Sequence, residues 1–147
     1  MANKYWTEED HKALREATTY KQLLEVALCV LARMPEPRAQ VCGPISTGGA
    51  GSVEENLKRF DQVIEKLQKE NIEVFDQIPF EIPMQKIKTL NKVEGYDNNL
   101  LNDFYLPIFE SGLVYKFYFL PDWESSTGAT WEHEQARRLG LEIEYME

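Results

Sequence analysis

The segment 121–138 contains the residues of this chain that are best suited to chemistry. It turns through a Ser-Ser-Thr-Gly sequence into a predicted helix on which Ala129, Glu132 and Ala136 recur at helical spacing and share one face. Glu132 is therefore an ionisable residue on an otherwise apolar face. Because a buried carboxylate is costly unless it is paired or used, Glu132 is the main candidate for a catalytic residue. The alternative is a structural glutamate that accepts hydrogen bonds from loop amides.

A glycine-rich loop is the second candidate for function. Four glycines fall within the nine residues 43–51, between a predicted strand and a predicted helix. Glycines at this density indicate a backbone that bends sharply or lets a ligand approach closely, and the free amides of such a loop can bind an anion. The loop lacks the lysine of a P-loop and the spacing of a dinucleotide fingerprint. Phosphate binding and a simple turn therefore both remain open.

Strands and helices alternate along the chain, and this alternation predicts the fold. Apolar runs predict strands at 38–45, 72–75, 113–120 and 141–145. Helices between strands are typical of an α/β protein with right-handed crossovers, here a flavodoxin-like or Rossmann-like parallel sheet of four to five strands in the order 2-1-3-4. Ligands of such sheets bind at the carboxyl ends of the strands. Helices are also predicted at 7–17, 20–34 and 98–110, with Pro107 distorting the last of these.

The remaining segments complete the predicted organisation. Residues 1–37 form a helical extension that packs on the core or at a subunit contact, and 38–147 form the α/β domain. The proline-rich segment 76–83 is predicted to be a loop, which either forms one wall of a pocket or is packed by its own apolar residues.

Composition excludes several classes of function. The 147 residues carry a net charge of -9, which argues against binding a nucleic acid polymer, because such a surface needs a basic patch. Cys29 and Cys42 have no spacing typical of a zinc site or a disulfide framework, and the two histidines give no metal-ligand cluster, so no metal or cofactor is expected. The chain shows neither a signal-peptide pattern nor a membrane-spanning run, which indicates a cytoplasmic protein without a membrane partner.

Two motifs carry a resemblance to a known group of proteins. The pattern Leu-Pro-Asp-Trp-Glu-x-Ser-x-Gly-Ala-x-x-Glu ends at Glu132, and Cys-Gly-Pro-Ile at 42–45 is followed by Gly48 and Gly49. Together they resemble the nucleoside 2-deoxyribosyltransferase-like superfamily, especially its small uncharacterised bacterial and phage branch, and are similar to nucleotide N-glycosidases. The resemblance spans about 38–146.

The resemblance implies roles for individual residues. Glu132 would be the nucleophile, and Asp103 in the predicted helix before the third strand would orient the sugar or act as an acid. Ser126 would contact the substrate, and a neutral serine suits a 5'-phosphate better than an aspartate would. The other predicted substrate-binding residues are Gly43, Ile45, Ser46, Gly48, Gly49, Phe80, Trp123 and Gly128.

The expected activity is therefore hydrolysis of the N-glycosidic bond of (deoxy)nucleosides or nucleoside 5'-monophosphates. A nucleoside deoxyribosyltransferase and a non-catalytic nucleotide-binding module are the alternatives. The expected partners are a small-molecule nucleoside or nucleotide and further copies of the chain. A homo-oligomer, a dimer or larger, is predicted because such relatives complete their sites at subunit contacts and the helix 20–34 has a broad apolar face.

Overall fold

A four-stranded parallel sheet lies within one of the two structural units of the chain. The computed structural model describes residues 4–45 and 48–147. Unit 2, which holds the sheet, comprises Glu36–Phe75 and Val114–Glu147. Unit 1 comprises Asp76–Leu113 and the described part of the first 35 residues. Most of the predicted N-terminal extension therefore belongs to the same unit as the segment 76–113. That segment was predicted to be part of the α/β domain.

The sheet has the predicted class and order. Its strands are β1 (Arg38–Cys42), β2 (Glu73–Val74), β3 (Lys116–Phe119) and β4 (Glu142–Tyr145). They run parallel in the order β2-β1-β3-β4, which confirms the prediction. All five residues of β1 are buried, as expected of a central strand with neighbours on both sides.

Seven α-helices are described in residues 4–45 and 48–147. They are α1 (Glu8–Glu16), α2 (Tyr20–Arg33), α3 (Val53–Lys69), α4 (Glu81–Leu90), α5 (Asn98–Leu100), α6 (Leu106–Glu110) and α7 (Thr127–Arg138). In unit 2, α3 contacts β1 and β2, and α7 lies against β1, where Glu132 meets Gln40. None of the helices in the described part of the chain combines the length and the apolar character that crossing a lipid bilayer requires.

Side-chain caps fix where the helices begin. The hydroxyl of Thr19 accepts the amide proton of Gln22 at 3.2 Å and the Gln22 side chain accepts from the Thr19 amide, and the two bonds form the capping box of α2. Thr7 and Asp10 form the same arrangement at the start of α1. These pairs satisfy backbone N–H groups that a first helical turn leaves without partners.

The proline-rich segment 76–83 is largely helical, so its prediction as a loop is wrong. A 3-10 helix spans Ile78–Phe80, and α4 begins at Glu81. Pro79 and Pro83 both occupy first-turn positions, where the missing N–H would have had no helical acceptor. Prolines therefore mark the start of these helices rather than their absence.

Pro107 distorts its helix as predicted, and the distortion is a π-helical turn. The five residues Leu101–Tyr105 form this turn between α5 and α6. The Leu106 amide donates to the carbonyl of Leu101, one residue further back than in an α-helix. A proline lacks the N–H that would close the next α-helical bond, which accounts for the altered winding beside it.

The apolar face of α2 is covered within unit 1. Six of its residues are buried: Tyr20, Leu23, Val26, Ala27, Val30 and Leu31. Neighbouring elements of the same unit, including α1, α4 and α6, contact α2. The predicted oligomer therefore has no support from an uncovered α2 face and stays a prediction.

The outer strand of the sheet carries charge. Lys116 on β3 extends its ammonium group to Glu142 and Glu144 on β4, with N–O distances of 3.3 Å and 2.8 Å. Both carboxylates are more than half exposed. The edge of the sheet at β4 is thus a charged surface.

Candidate active site

The glycine loop and the loop after β3 touch directly. The amide of Gly49 donates to Ser125 Oγ at 2.9 Å. Gly48 has a φ of +68°, and a Cβ atom there would lie 2.2 Å from the Ser125 carbonyl oxygen. Any side chain at Gly48 would therefore separate the two loops. Because these loops follow β1 and β3, they lie together at the carboxyl ends of the central strands, where the sequence predicted a site.

Asn56 on α3 fixes the other side of the glycine loop. Its side chain is 1% exposed, and its Nδ2 donates to the carbonyls of Ile45 and Gly48 at 3.0 Å and 3.1 Å. Its Oδ1 accepts the amide proton of Ala50 at 2.8 Å. Sequence reasoning missed Asn56, because an asparagine in the first turn of a helix is usually a surface residue.

These bonds change the interpretation of the loop. The amides of Gly49 and Ala50, which the sequence offered as free donors for an anion, are bonded to Ser125 and Asn56. The predicted binding residue Ser46 lies outside the described residues. Gly43 is buried, and a Cβ atom there would lie only 2.5 Å from Leu120 Cδ1. Ile45 is 9% exposed.

Glu132 lies on the buried face of α7, against β1. It is 6% exposed, and its Oε2 lies 3.5 Å from Gln40 Nε2. The thiol of Cys42 also hydrogen-bonds to the Glu132 carboxylate. Gln40 and Cys42 are two residues apart on β1 and so point to the same face of the sheet. The predicted inward direction of Glu132 is confirmed, and its contact with the last residue of β1 places it at the same end of the sheet as the glycine loop.

Burial and the nearby carboxylate keep the Cys42 thiol protonated. Desolvation is the main cause that raises the pKa of Cys42 well above its usual value, and the charge of Glu132 adds to this effect. A protonated thiol donates a hydrogen bond, and it is a poor nucleophile. Cys42 therefore acts as a neutral donor to Glu132.

Ser126 begins α7. Its Oγ accepts the amide proton of Ala129 at 3.1 Å, and the residue is 4% exposed. This cap leaves the hydroxyl proton of Ser126 available for another acceptor. Gly128 lies in the first turn of the helix and is half-buried. The predicted polar contacts with substrate at these two positions would therefore be made at the amino end of α7.

Trp123 lies on a different side of α7 from Glu132. Its ring stacks on that of His133 with centroids 4.0 Å apart, and His133 Nε2 lies 2.6 Å from the Tyr145 hydroxyl. A shallow cavity of about 450 Å³ beside this stack is lined by Trp123, Thr130, His133, Glu134, Arg137 and Arg138. Burial, with the charge of Arg137, lowers the pKa of His133. A substrate role for Trp123 stays a prediction.

The two predicted site residues of unit 1 have local roles of their own. Phe80 is 0% exposed, and its ring centroid lies 5.4 Å from that of Trp6 and 5.2 Å from that of Phe104. Asp103 is half-buried in the π-helical turn. Substrate roles for Phe80 and Asp103 stay predictions. In the described residues, no group of three or more His, Cys, Asp or Glu side chains is arranged to hold a metal ion.

These features define an α/β protein whose glycine loop, helix cap and inward-facing glutamate meet at the carboxyl ends of a parallel sheet. The chain belongs to a family described as a domain of unknown function, DUF4406, whose model matches residues 38–145. The match includes all four strands together with α3 and α7. No curated protein and no solved structure gave a significant match to the chain.

Proposed function

We propose that this protein is an N-glycosidase that hydrolyses the N-glycosidic bond of (deoxy)nucleosides or nucleoside 5'-monophosphates, with Glu132 as its nucleophile. The observation that supports this most is the position of Glu132. It is a buried carboxylate that receives hydrogen bonds from Gln40 and Cys42, at the end of the sheet where the glycine loop begins. The resemblance of the motifs at 42–49 and 120–132 supports the same activity.

The proposed reaction uses the charge of Glu132. Cleavage of an N-glycosidic bond passes through an oxocarbenium-like state, which a nearby carboxylate stabilises. An oxygen of Glu132 would bond to the anomeric carbon while the bond to the base breaks and its electron pair leaves with the base. Water would then attack the same carbon and release both the sugar and the Glu132 carboxylate. The base takes up a proton as it leaves, and the attacking water gives up a proton to solvent.

Two neighbours suit Glu132 to this task. The amide of Gln40 and the thiol of Cys42 are neutral donors, so these two contacts can orient the carboxylate and do not themselves neutralise it. Nucleophilic carboxylates need both properties, because a fixed direction lowers the entropic barrier and a retained charge stabilises the cation.

A non-catalytic nucleotide-binding module is the second candidate. Such a module would keep the fold and the motifs of the site and lose only the chemistry. A nucleoside deoxyribosyltransferase would use the same nucleophile and differ only in the acceptor, which would be a second base instead of water.

One assay separates these three functions. The protein would be incubated with nucleosides and their 5'-monophosphates, with and without a free acceptor base, and the products separated by chromatography. A hydrolase releases base and free sugar in both cases. A transferase forms a new nucleoside only when the acceptor is present. Binding that raises the melting temperature without conversion would refute the proposed activity and support the binding module.

A further inference from the structure

Helix α3 holds both loops of the candidate site. Asn56 bonds to the glycine loop, and Arg59 forms two hydrogen bonds with Asp122 in the loop after β3, at 2.9 Å and 2.6 Å. These two residues of α3 are three positions apart and so lie on the same side of the helix. A single helix therefore fixes the segments that follow two different strands.

The bonds of Asn56 match the chemistry of its amide. The NH₂ group donates one proton to each of the Ile45 and Gly48 carbonyls, and the amide oxygen accepts from Ala50. Asn56 is only 1% exposed. A replacement side chain without these groups would therefore leave buried backbone atoms of the loop without hydrogen-bond partners. Aspartate would preserve the acceptor but would direct a negative charge at two carbonyl oxygens.

Ser125 connects the glycine loop to α7. Its Oγ accepts the proton of the Gly49 amide at 2.9 Å and donates to the Asp122 carbonyl at 2.7 Å. The next residue, Ser126, caps α7, and Glu132 lies six residues further on. A shift of the loop at Ser125 would thus be passed to the beginning of the helix that carries Glu132.

We infer that Asn56 and Ser125 are positioning residues, which together hold the glycine loop against the amino end of α7. They form a continuous set of bonds with Asp122 and Arg59 that begins and ends on α3. The expected effect on turnover rests on the proposed function. The expected effect on the glycine loop is independent of that function.

The test compares Asn56→Ala, Asn56→Asp and Ser125→Ala with two controls, Lys58→Ala on α3 and Glu124→Gln beside Ser125. Ser125 is exposed, so its alanine variant keeps the test decisive even where an Asn56 variant fails to fold. The first measurement is hydrogen exchange of the Gly49 and Ala50 amides by NMR. We expect exchange at least about ten-fold faster in the positioning variants, because each loses an acceptor or the geometry that holds it. The controls should match the wild type.

The second measurement is steady-state base release. We expect kcat to fall by about 10-fold to 100-fold in the positioning variants with little change in KM, since small misplacements of reacting groups carry penalties of this size. Asn56 and Ser125 belong to one hydrogen-bond network. The fold decrease in kcat of the Asn56→Ala, Ser125→Ala double variant should therefore be smaller than the product of the two single decreases.

The outcomes distinguish two failures. A wild-type protein that converts no nucleoside or nucleotide would refute the proposed function, and the exchange rates alone would then decide the inference. Unchanged exchange at Gly49 and Ala50 would overturn it. Faster exchange with an unaltered kcat in an active enzyme would overturn it as well.

Discussion

Two carboxylates of this protein are equally buried and differ in what surrounds them. Asp10 in unit 1 and Glu132 in unit 2 are each 6% exposed. Asp10 accepts a hydrogen bond from the Thr7 amide at 2.8 Å and forms an ion pair with Arg33. Burial would raise the pKa of Asp10, but the Arg33 guanidinium and the bonds to Thr7 outweigh burial and lower it. The charge of Asp10 is thus paired with Arg33 and stabilises the folded unit.

Glu132 receives hydrogen bonds from two neutral groups of β1. Gln40 and Cys42 can orient its carboxylate, and neither of them carries a charge. Burial of an acid therefore does not by itself distinguish a structural from a chemical role. The charge and type of the groups that hold it are more informative. The predictions below test this difference.

The largest expected effect is that of Glu132→Gln. Glutamine preserves the shape of the side chain but cannot stabilise a cation or form the covalent intermediate, so base release should fall by at least about 10³-fold. The melting temperature should hold or rise, because a buried charge is removed. Turnover and thermal unfolding would be measured on the same preparations, with the exposed Glu134→Gln as control. Retained turnover in Glu132→Gln would make Glu132 a structural residue like Asp10.

Cys42→Ala should have a smaller effect on the same reaction. It removes one donor to Glu132 and leaves the charge in place, so we expect kcat to fall by about 10-fold with little change in KM. Cys42→Ser restores a donor and should recover most of the activity. The exposed Cys29→Ala variant is the matched control. If alanine and serine at 42 behave alike, the thiol does not orient Glu132.

Asp10→Ala should alter stability and leave turnover unchanged. Loss of the capping box of α1 costs about 1 kcal/mol of unfolding free energy, and the partly exposed Arg33 adds little because solvent screens its charge. The folded pKa of Asp10 is lowered, so its contribution is present above the unfolded pKa of about 4 and is lost as the pH falls through the folded value. Denaturant titrations at pH 7 and pH 3 would show the difference, with Glu8→Ala as control. An equal loss at both pH values would contradict this role.

Glu81→Gln should have the smallest effect, with the opposite pH dependence. Burial raises the pKa of Glu81 to about 7. A raised folded pKa means that the contribution of this acid is fully present below its unfolded pKa and is lost as the pH rises through about 7. Glutamine resembles the protonated acid, so the variant should unfold at a higher temperature than the wild type at pH 8 and at the same temperature at pH 4. A pH-independent difference, measured against the exposed Glu94→Gln, would refute this.

The sheet could be predicted because its signals are local. The apolar run 113–120 contains β3, and helices between strands leave right-handed parallel crossovers as the main solution, which gave the observed order. Helix α4 was missed because Pro79 and Pro83 suggested a loop. Whether a proline breaks a helix depends on its position in the first turn, and that position is known only once the helix start is known.

The site could be predicted only in part, for a different reason. The direction of Glu132 follows from helical period alone. The contacts of Asn56 and Ser125 depend on how two loops after different strands meet, and no periodicity encodes this meeting. The glycines at 48 and 49 signalled a close approach, but the approaching group proved to be the chain itself.

The charged outer strand affects how copies of this protein can meet. An uncovered parallel edge can add a strand from a neighbouring molecule, and a sheet that grows in this way ends in aggregation. At β4 a second strand would have to approach Glu142 and Glu144, which share the single ammonium group of Lys116. Two copies brought edge to edge would face each other with like charge. The charge on β4 therefore disfavours strand pairing between copies at this edge.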